Sequence, residues 1–275
     1  NLQDHFDVIT QWACRKPVTL NGQARVVNQL RSLVSWLISK DGAISHAPTP
    51  VGAFFSSREG LASPDIQLHF MPVKADPHGR GSFLPVHGFQ MHVCQLNPKS
   101  RGTVRLASPN PEAQPLIDPA YLSDTSDVDI LLKGIEIARK IVAAPAFNDY
   151  RQAEIWPGEE RQSRDDLANA IRAWGESDYH PVGTCRMGTD PSAPLDSACR
   201  VRGVDGLYVV DASVMPTITS GNTNAPTIMI AEKISDVIRG RRAIVDASPC
   251  FHRRRSSATA NTSPTGSRMR RPRRC

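Results

Sequence analysis

The residues best suited to chemistry gather between 180 and 227. His180 heads the stretch His180-Pro181-Val182-Gly183-Thr184-Cys185-Arg186-Met187-Gly188. A residue before proline is driven out of the helical region, so His180 belongs to a rigid turn, where an imidazole can act as a base near neutral pH. A purely structural histidine is the plainer alternative. Cys185 as nucleophile with His180 as its base is another arrangement, but neither an orienting partner nor an oxyanion hole is visible in the sequence. Further on, Leu207-Tyr208-Val209-Val210 reads as a fully buried strand between Gly206 and Asp211. Ligands of layered α/β folds sit beyond the carboxyl ends of such strands, which puts Asp211, Ala212 and Ser213 at a crevice. A simple turn cap is the alternative for Asp211. Asn224 then precedes Ala225-Pro226, and proline favours the first helical turn. The periodicity through Ile230, Ala231, Ile234, Val237 and Ile238 predicts a helix closed by Gly240. Its N-terminus, pointing at the crevice, favours an electron-rich or anionic ligand by about 0.3–1 kcal/mol at an exposed site.

These groups need a frame to hold them. Residues 23–40 carry Val26, Val27, Leu30, Leu33, Val34, Leu37 and Ile38 on one helical stripe, with Gly42 as a stop, and so predict a core-facing helix. From 50 to 107 the period changes to two. Residues 65–70, 88–94 and 102–106 alternate or are β-rich, and Asn97-Pro98-Lys99-Ser100-Arg101-Gly102 forms a connecting turn. An antiparallel sheet with one buried face follows, on which His69 and His92 could line a pocket. After the turn-rich segment 109–122, Ser126 opens a helix through about Val142, with Val128, Leu131, Ile135, Ala138 and Val142 as its stripe. Ser163-x-x-Asp166 resembles a capping box ahead of a second helix through Leu167, Ile171 and Trp174.

The net charge of +6 is misleading, because ten Arg and one acid follow Gly240. Residues 1–240 hold 23 basic and 26 acidic side chains, a balance of −3. A basic tail can contact nucleic acid or anionic lipid, but no aromatic or base-reading motif accompanies these arginines, and specific nucleic-acid binding is not expected. Too little apolar surface remains beyond 240 to fold, so 241–275 is predicted to be disordered. Its composition breaks from the body as a frame-shifted or read-through end would; a genuine basic tail is the alternative. Six cysteines without a C-x-x-C pair argue against zinc and against a disulfide framework, and suggest free thiols in a reducing cytoplasm. No run reaches the roughly 18 apolar residues of a membrane span. The start is not a signal peptide and lacks Met, which suggests a chain that opens mid-protein.

His180 to Gly188, Pro194-Leu195-Asp196, Arg200-Val201-Arg202-Gly203-Val204-Asp205-Gly206-Leu207 and Gly221-Asn222-Thr223-Asn224-Ala225-Pro226-Thr227 together resemble the C-terminal half of the glucose–methanol–choline (GMC) oxidoreductase family. Asn-Thr-Asn-Ala-Pro-Thr is most similar to its choline dehydrogenase and alcohol dehydrogenase branch. Asn1-Leu2-Gln3-Asp4-His5 and the turn at 97–102 fit the same family.

The resemblance implies a flavoenzyme that oxidises a small-molecule alcohol by hydride transfer to FAD. His180 would be the catalytic histidine that takes or hydrogen-bonds the hydroxyl proton, and Asn222 would hold the substrate oxygen. Asp211 and Ala212 would touch the ribityl and pyrophosphate region of FAD, and Thr223 and Asn224 the pyrimidine edge of the flavin. The implied fold is α+β: an antiparallel substrate-binding sheet with flanking helices, plus the C-terminal strand and helix of an incomplete FAD-binding α/β domain. Expected boundaries are 1–10, a remnant of the FAD-domain connection; 11–179, the substrate-binding domain; 180–240, the histidine loop and returning FAD-domain piece; and 241–275, the tail.

The family's G-x-G-x-x-G turn is absent, so the N-terminal FAD-binding half is missing and this polypeptide alone is expected not to hold FAD tightly or to be active. The implied location is the cytoplasm, with peripheral membrane association left open, as is the choice between a quinone-like acceptor and oxygen. A non-catalytic fragment or interaction module is the competing reading.

Overall fold

The computed structural model describes residues 1–45, 47–75 and 86–241. The elements are β1 (Phe6–Cys14), α1 (Val26–Ser39), β2 (Val51–Phe55), β3 (Ile66–Met71), β4 (Gly88–Gln95), β5 (Thr103–Arg105), β6 (Leu116–Asp118), α2 (Thr125–Val142), β7 (Arg151–Trp156), α3 (Arg164–Trp174), β8 (Glu176–Ser177) and α4 (Asn224–Ile238). The α+β class expected from the sequence is what the chain forms. A six-stranded antiparallel sheet runs β2-β3-β4-β1-β7, with β8 also paired to β1, and β5 and β6 make a separate hairpin.

Strand alternation gives the sheet two unlike faces. Phe6, Val8 and Trp12 of β1, Ile66 and Leu68 of β3, and Phe89, Met91 and Val93 of β4 join one apolar core with α2 and α3. The predicted α2 stripe is buried in full, and Leu167 and Ile171 anchor α3. Burying each such aliphatic side chain contributes about 1.5–3 kcal/mol. Helix α2 lies so close to β4 that a Cβ on Gly134 would stand 2.2 Å from Val93 Cγ1. Asp124 rather than Ser126 caps α2, accepting from the Ser126 amide, while Ser163 caps α3 by accepting from the Asp166 amide.

The opposite face carries His5, Asp7 and Gln11 of β1 and its lead-in, Gln67 and His69 of β3, and Gln90, His92 and Cys94 of β4. Most of these are buried too, so the expected single buried face is corrected to two, one apolar and one polar. Central strand β1 alternates only loosely, with Ile9 on the polar face and Thr10 on the apolar one, and both its sides are covered; the expected boundary at residue 10 falls inside it.

Two further expectations are overturned. Helix α1 forms, but its stripe does not face the core: Val26, Leu30, Leu37 and Ile38 are all exposed, and only Ser32 is buried. Periodicity defines an apolar face without saying what covers it. Residues 207–210 are not a fully buried strand; Leu207 is 48% exposed and the segment makes a single bridge, Arg200↔Tyr208. A fully buried strand needs a sheet around it with both faces covered, and no sheet flanks this segment among the described residues. A second apolar cluster, with Val182, Leu195, Val214, Met215, Ile218, Ile230 and Ile234, binds the 182–234 region together. The tail expected to be disordered lies outside the described residues, apart from Arg241.

Candidate active site

The start of the chain and the segment before His180 lie side by side. Phe6 pairs with Ser177 and Asp7 with Glu176 in β8, and the Gln3 and Val182 backbones bond reciprocally at 3.0 and 2.8 Å. Between these ladders His180 stands out of register, its amide donating to Asp4 Oδ1 at 2.9 Å. Asp4 Oδ2 also accepts from the Tyr121 and Ser177 hydroxyls, both at 2.5 Å, so a buried carboxylate anchors the turn. Burial, then the bond to Asp4, pushes the Tyr121 phenol well up. Gly183 (φ +84°) passes Asn1 so closely that a Cβ would lie 2.5 Å from the Asn1 carbonyl oxygen; both the left-handed backbone and the approach require glycine.

Over the polar sheet face this turn brings together side chains distant in sequence. His180 Nε2 and Asn222 Nδ2 lie 3.4 Å apart across 42 positions. Gln67 Nε2 donates to Asn222 Oδ1 at 3.1 Å, tying Asn222 to β3. On the other side of the ring, His5 Nδ1 is 2.9 Å and Asp178 Oδ2 3.3 Å from His180 Nδ1. His5, Asp178 and His180 hold ligand-type atoms within 4.8 Å of one another, a spacing that would also suit a cation. Burial, and secondarily His180, pushes the His5 imidazole down. Burial alone would raise the Asp178 carboxyl, but the nearby His180 ring brings it below the ordinary value, even though Asp178 Oδ2 meets no partner at hydrogen-bond geometry.

His69 and His92 are cross-strand partners on this face. Burial lowers His69. Burial would lower His92 as well, yet Asp7, through its charge and a 2.5 Å bond from Nδ1 to Oδ2, raises it. Asp7 Oδ1 is buried without a hydrogen-bond partner. Gln11, Gln90 and His92 complete the chain of contacts, with Gln11 Nε2 donating to Gln90 Oε1 at 3.0 Å and Gln90 Nε2 lying 2.8 Å from His92 Nε2.

The other sequence candidates lie beside this centre. Asp211 caps the short turn Ala212–Val214 by accepting from the Ser213 amide. With Leu2, Pro181 and Val182, Asp211 and Ala212 line a cavity of about 530 Å³ that His180, Asn222, Thr223 and Asn224 do not line. Thr223 is buried and Asn224 exposed at the start of α4, whose first turn has no side-chain cap. Its amides are thus open to an electron-rich ring edge, and that donor set fits one side of a flavin. Cys185 is half-buried, its amide bonded to the Ser213 carbonyl, and its thiol makes no hydrogen bond to His180. Sequence reasoning missed His5, Asp7, Gln67 and Asp178 as site residues. The Asp178-x-His180 spacing was a usable signal; the others are identified only by strand pairing.

Residues 98–231 match the GMC oxidoreductase family. An oxygen-dependent choline dehydrogenase of Brucella canis is 44% identical over 88% of the chain and 44% of its own length. Pyridoxine 4-oxidase from Mesorbium loti superposes with a TM-score of 0.73 at 26% identity, over 88% of this chain and 44% of that one. A formate oxidase of Aspergillus oryzae, studied for FAD modification, gives 0.79 at 20% identity over 87% and 47%, a likeness of fold. The chain spans about half the length of these proteins. Both the family match and the relatives at over 40% identity agree with the motifs read from the sequence, and residues 98–231 match the C-terminal domain of the GMC oxidoreductase family.

Proposed function

We propose that this chain supplies the substrate-binding and proton-accepting part of an FAD-dependent oxidation of a small alcohol, with a choline-type amino alcohol as the substrate class. The observation that carries the reading is the His180–Asn222 pair, 3.4 Å apart, at the open edge of a buried polar sheet face. His180 Nε2 takes the hydroxyl proton, and the Asn222 amide donates to the same oxygen as negative charge builds on it. Positioned base catalysis of this kind contributes about 10²–10⁴-fold, and fixing the carbinol carbon in one orientation lowers the barrier further.

Asp7 gives the substrate class its support. It lies two residues beyond His5 on the same strand face, about 7 Å along the strand, and has a buried oxygen with no hydrogen-bond partner. A quaternary ammonium cannot donate a hydrogen bond, so what it needs from the protein is negative charge in a poorly hydrated place. The relative's name supplies choline for that protein; the Asp7 carboxylate supplies a reason for it here.

The chemistry that bound FAD would supply is acceptance of the hydride leaving the carbinol carbon. The residues that would hold it are Asp211 and Ala212 toward the ribityl and pyrophosphate region, and Thr223 and Asn224 with the open α4 amides along the pyrimidine edge. His180→Ala in a full-length, FAD-loaded protein that joins this chain to the family's FAD-binding half should slow flavin reduction by choline about 10²–10⁴-fold and leave FAD bound, as read by stopped-flow absorbance. Reduction at the unsubstituted rate would remove His180 from the chemistry.

A further inference from the structure

The hydrogen bonds around His180 determine where its proton sits. His5 Nε2 lies 3.0 Å from the Leu96 carbonyl oxygen. A carbonyl only accepts, so Nε2 of His5 carries a proton, and in the neutral ring Nδ1 is a lone pair. His5 is fully buried and its basicity is lowered by that burial, which keeps the ring neutral. Its Nδ1 faces His180 Nδ1 at 2.9 Å, so His180 must be the donor and its Nδ1 carries the proton. His180 Nε2 is then bare, and it is the atom that meets the Asn222 amide nitrogen, a donor. Gln67, donating to Asn222 Oδ1, fixes that amide in the required sense. The protonation pattern deduced from Leu96 agrees with the one deduced from Gln67.

Asp178 reinforces this arrangement. Its Oδ2 is buried with no partner at hydrogen-bond geometry and lies 3.3 Å from the same His180 Nδ1, and its backbone amide donates to the His5 carbonyl at 2.9 Å, which ties residue 178 to the strand lead-in that carries His5. We propose that Asp178 is a positioning residue: together with His5 it keeps the His180 proton on Nδ1 and leaves Nε2 free, and its carboxylate lies beside the ring that turns cationic when Nε2 accepts a proton. The proposal rests on His180 being the base. A carboxylate on the far nitrogen of a base both fixes its tautomer and stabilises the imidazolium that forms. The other charged and titratable groups around the ring are Asp4 at its backbone, Asp7 of β1, His69 of β3, and His92 and Cys94 of β4. None of these has a recorded side-chain bond to His180 Nδ1.

The test needs no cofactor. The chain is labelled with ¹⁵N-histidine, and long-range ¹⁵N–¹H correlations are recorded at about pH 8, above the ordinary histidine range. His180 should appear with Nδ1 protonated and Nε2 bare, and His5 with the reverse. In Asp178→Ala the Nδ1–H form of His180 should fall from the dominant species to a mixture with the Nε2–H form, and Asp178→Glu should restore it. Unchanged backbone amide resonances for the β1–β4 ladder in the same protein report that the sheet is intact. Wild-type protein showing His180 as the Nε2–H form overturns the proposal, as does an Asp178→Ala spectrum indistinguishable from wild type. Failure of His180 as the base would show instead in flavin reduction by the His180→Ala protein, so the two ideas fail separately.

Discussion

Asp7 pairs with His92 through one oxygen and leaves the other, although buried, without a hydrogen-bond partner. Such an oxygen is costly unless something positive meets it. The charge can be removed with little change of shape by Asp7→Asn, which also leaves an acceptor for His92 Nδ1–H. If Asp7 recognises the cationic end of the substrate, this change should raise KM for choline by about 30-fold, the effect of roughly 2 kcal/mol on losing one member of a desolvated charge pair. KM for the uncharged isostere 3,3-dimethylbutan-1-ol should stay close to the wild-type value. Steady-state kinetics on the two alcohols separate charge recognition from general damage, since equal losses on both would assign Asp7 to the fold alone. At this scale the sequence was only partly legible. His180 and Asn222 stood in recognisable strings, whereas Asp7 and Gln67 look like ordinary strand residues until the pairing of β1 and β3 with β4 aims them at one face.

The elements that carry these groups divide into those the apolar pattern predicted and those it could not. Helix α2 was legible because its stripe has one destination, the sheet, and all five predicted positions are buried. Gly134 on that helix is the exception in propensity. In an exposed helix interior Gly→Ala gains about 1 kcal/mol, but here the added methyl would meet Val93, which is fully buried. Gly134→Ala should therefore destabilise the protein by about 1–3 kcal/mol, the usual cost of overpacking, read from the urea unfolding midpoint. A stabilised variant would mean that α2 can retreat from β4. Helix α1 has an equally clear stripe and the opposite outcome, because amphipathicity predicts that an element forms and not which surface it meets. Strand β1 escaped notice for the converse reason: with polar residues buried on one side and apolar on the other, its alternation resembles that of neither an exposed strand nor a wholly apolar one.

Across the whole molecule, the described residues offer a complete sheet-and-helix core but only one side of a cofactor site. The open amides of α4 and the Asp211–Ala212 turn can meet FAD, while no G-x-G-x-x-G turn in the sequence provides a diphosphate cradle. The expected outcome on mixing the purified chain with FAD is that the yellow absorbance separates from the protein on gel filtration. Stoichiometric co-elution would mean that the residues present suffice. No helix among the described residues is long and apolar enough to cross a membrane.

The route of the chain has a last consequence. Asn1 holds the Gly183 carbonyl, Gln3 pairs with Val182, and Asp4 and His5 hold His180, contacts that close loops of some 175 residues or more. The large apolar cluster begins at Phe6, with Leu2 the single buried apolar side chain ahead of it. Cleavage of the backbone after His5 would therefore spare most of the apolar core and unhook the imidazole from its supports. An unchanged melting temperature would not reveal that loss, whereas a mass spectrum showing residues 1–5 still joined to the rest would exclude it.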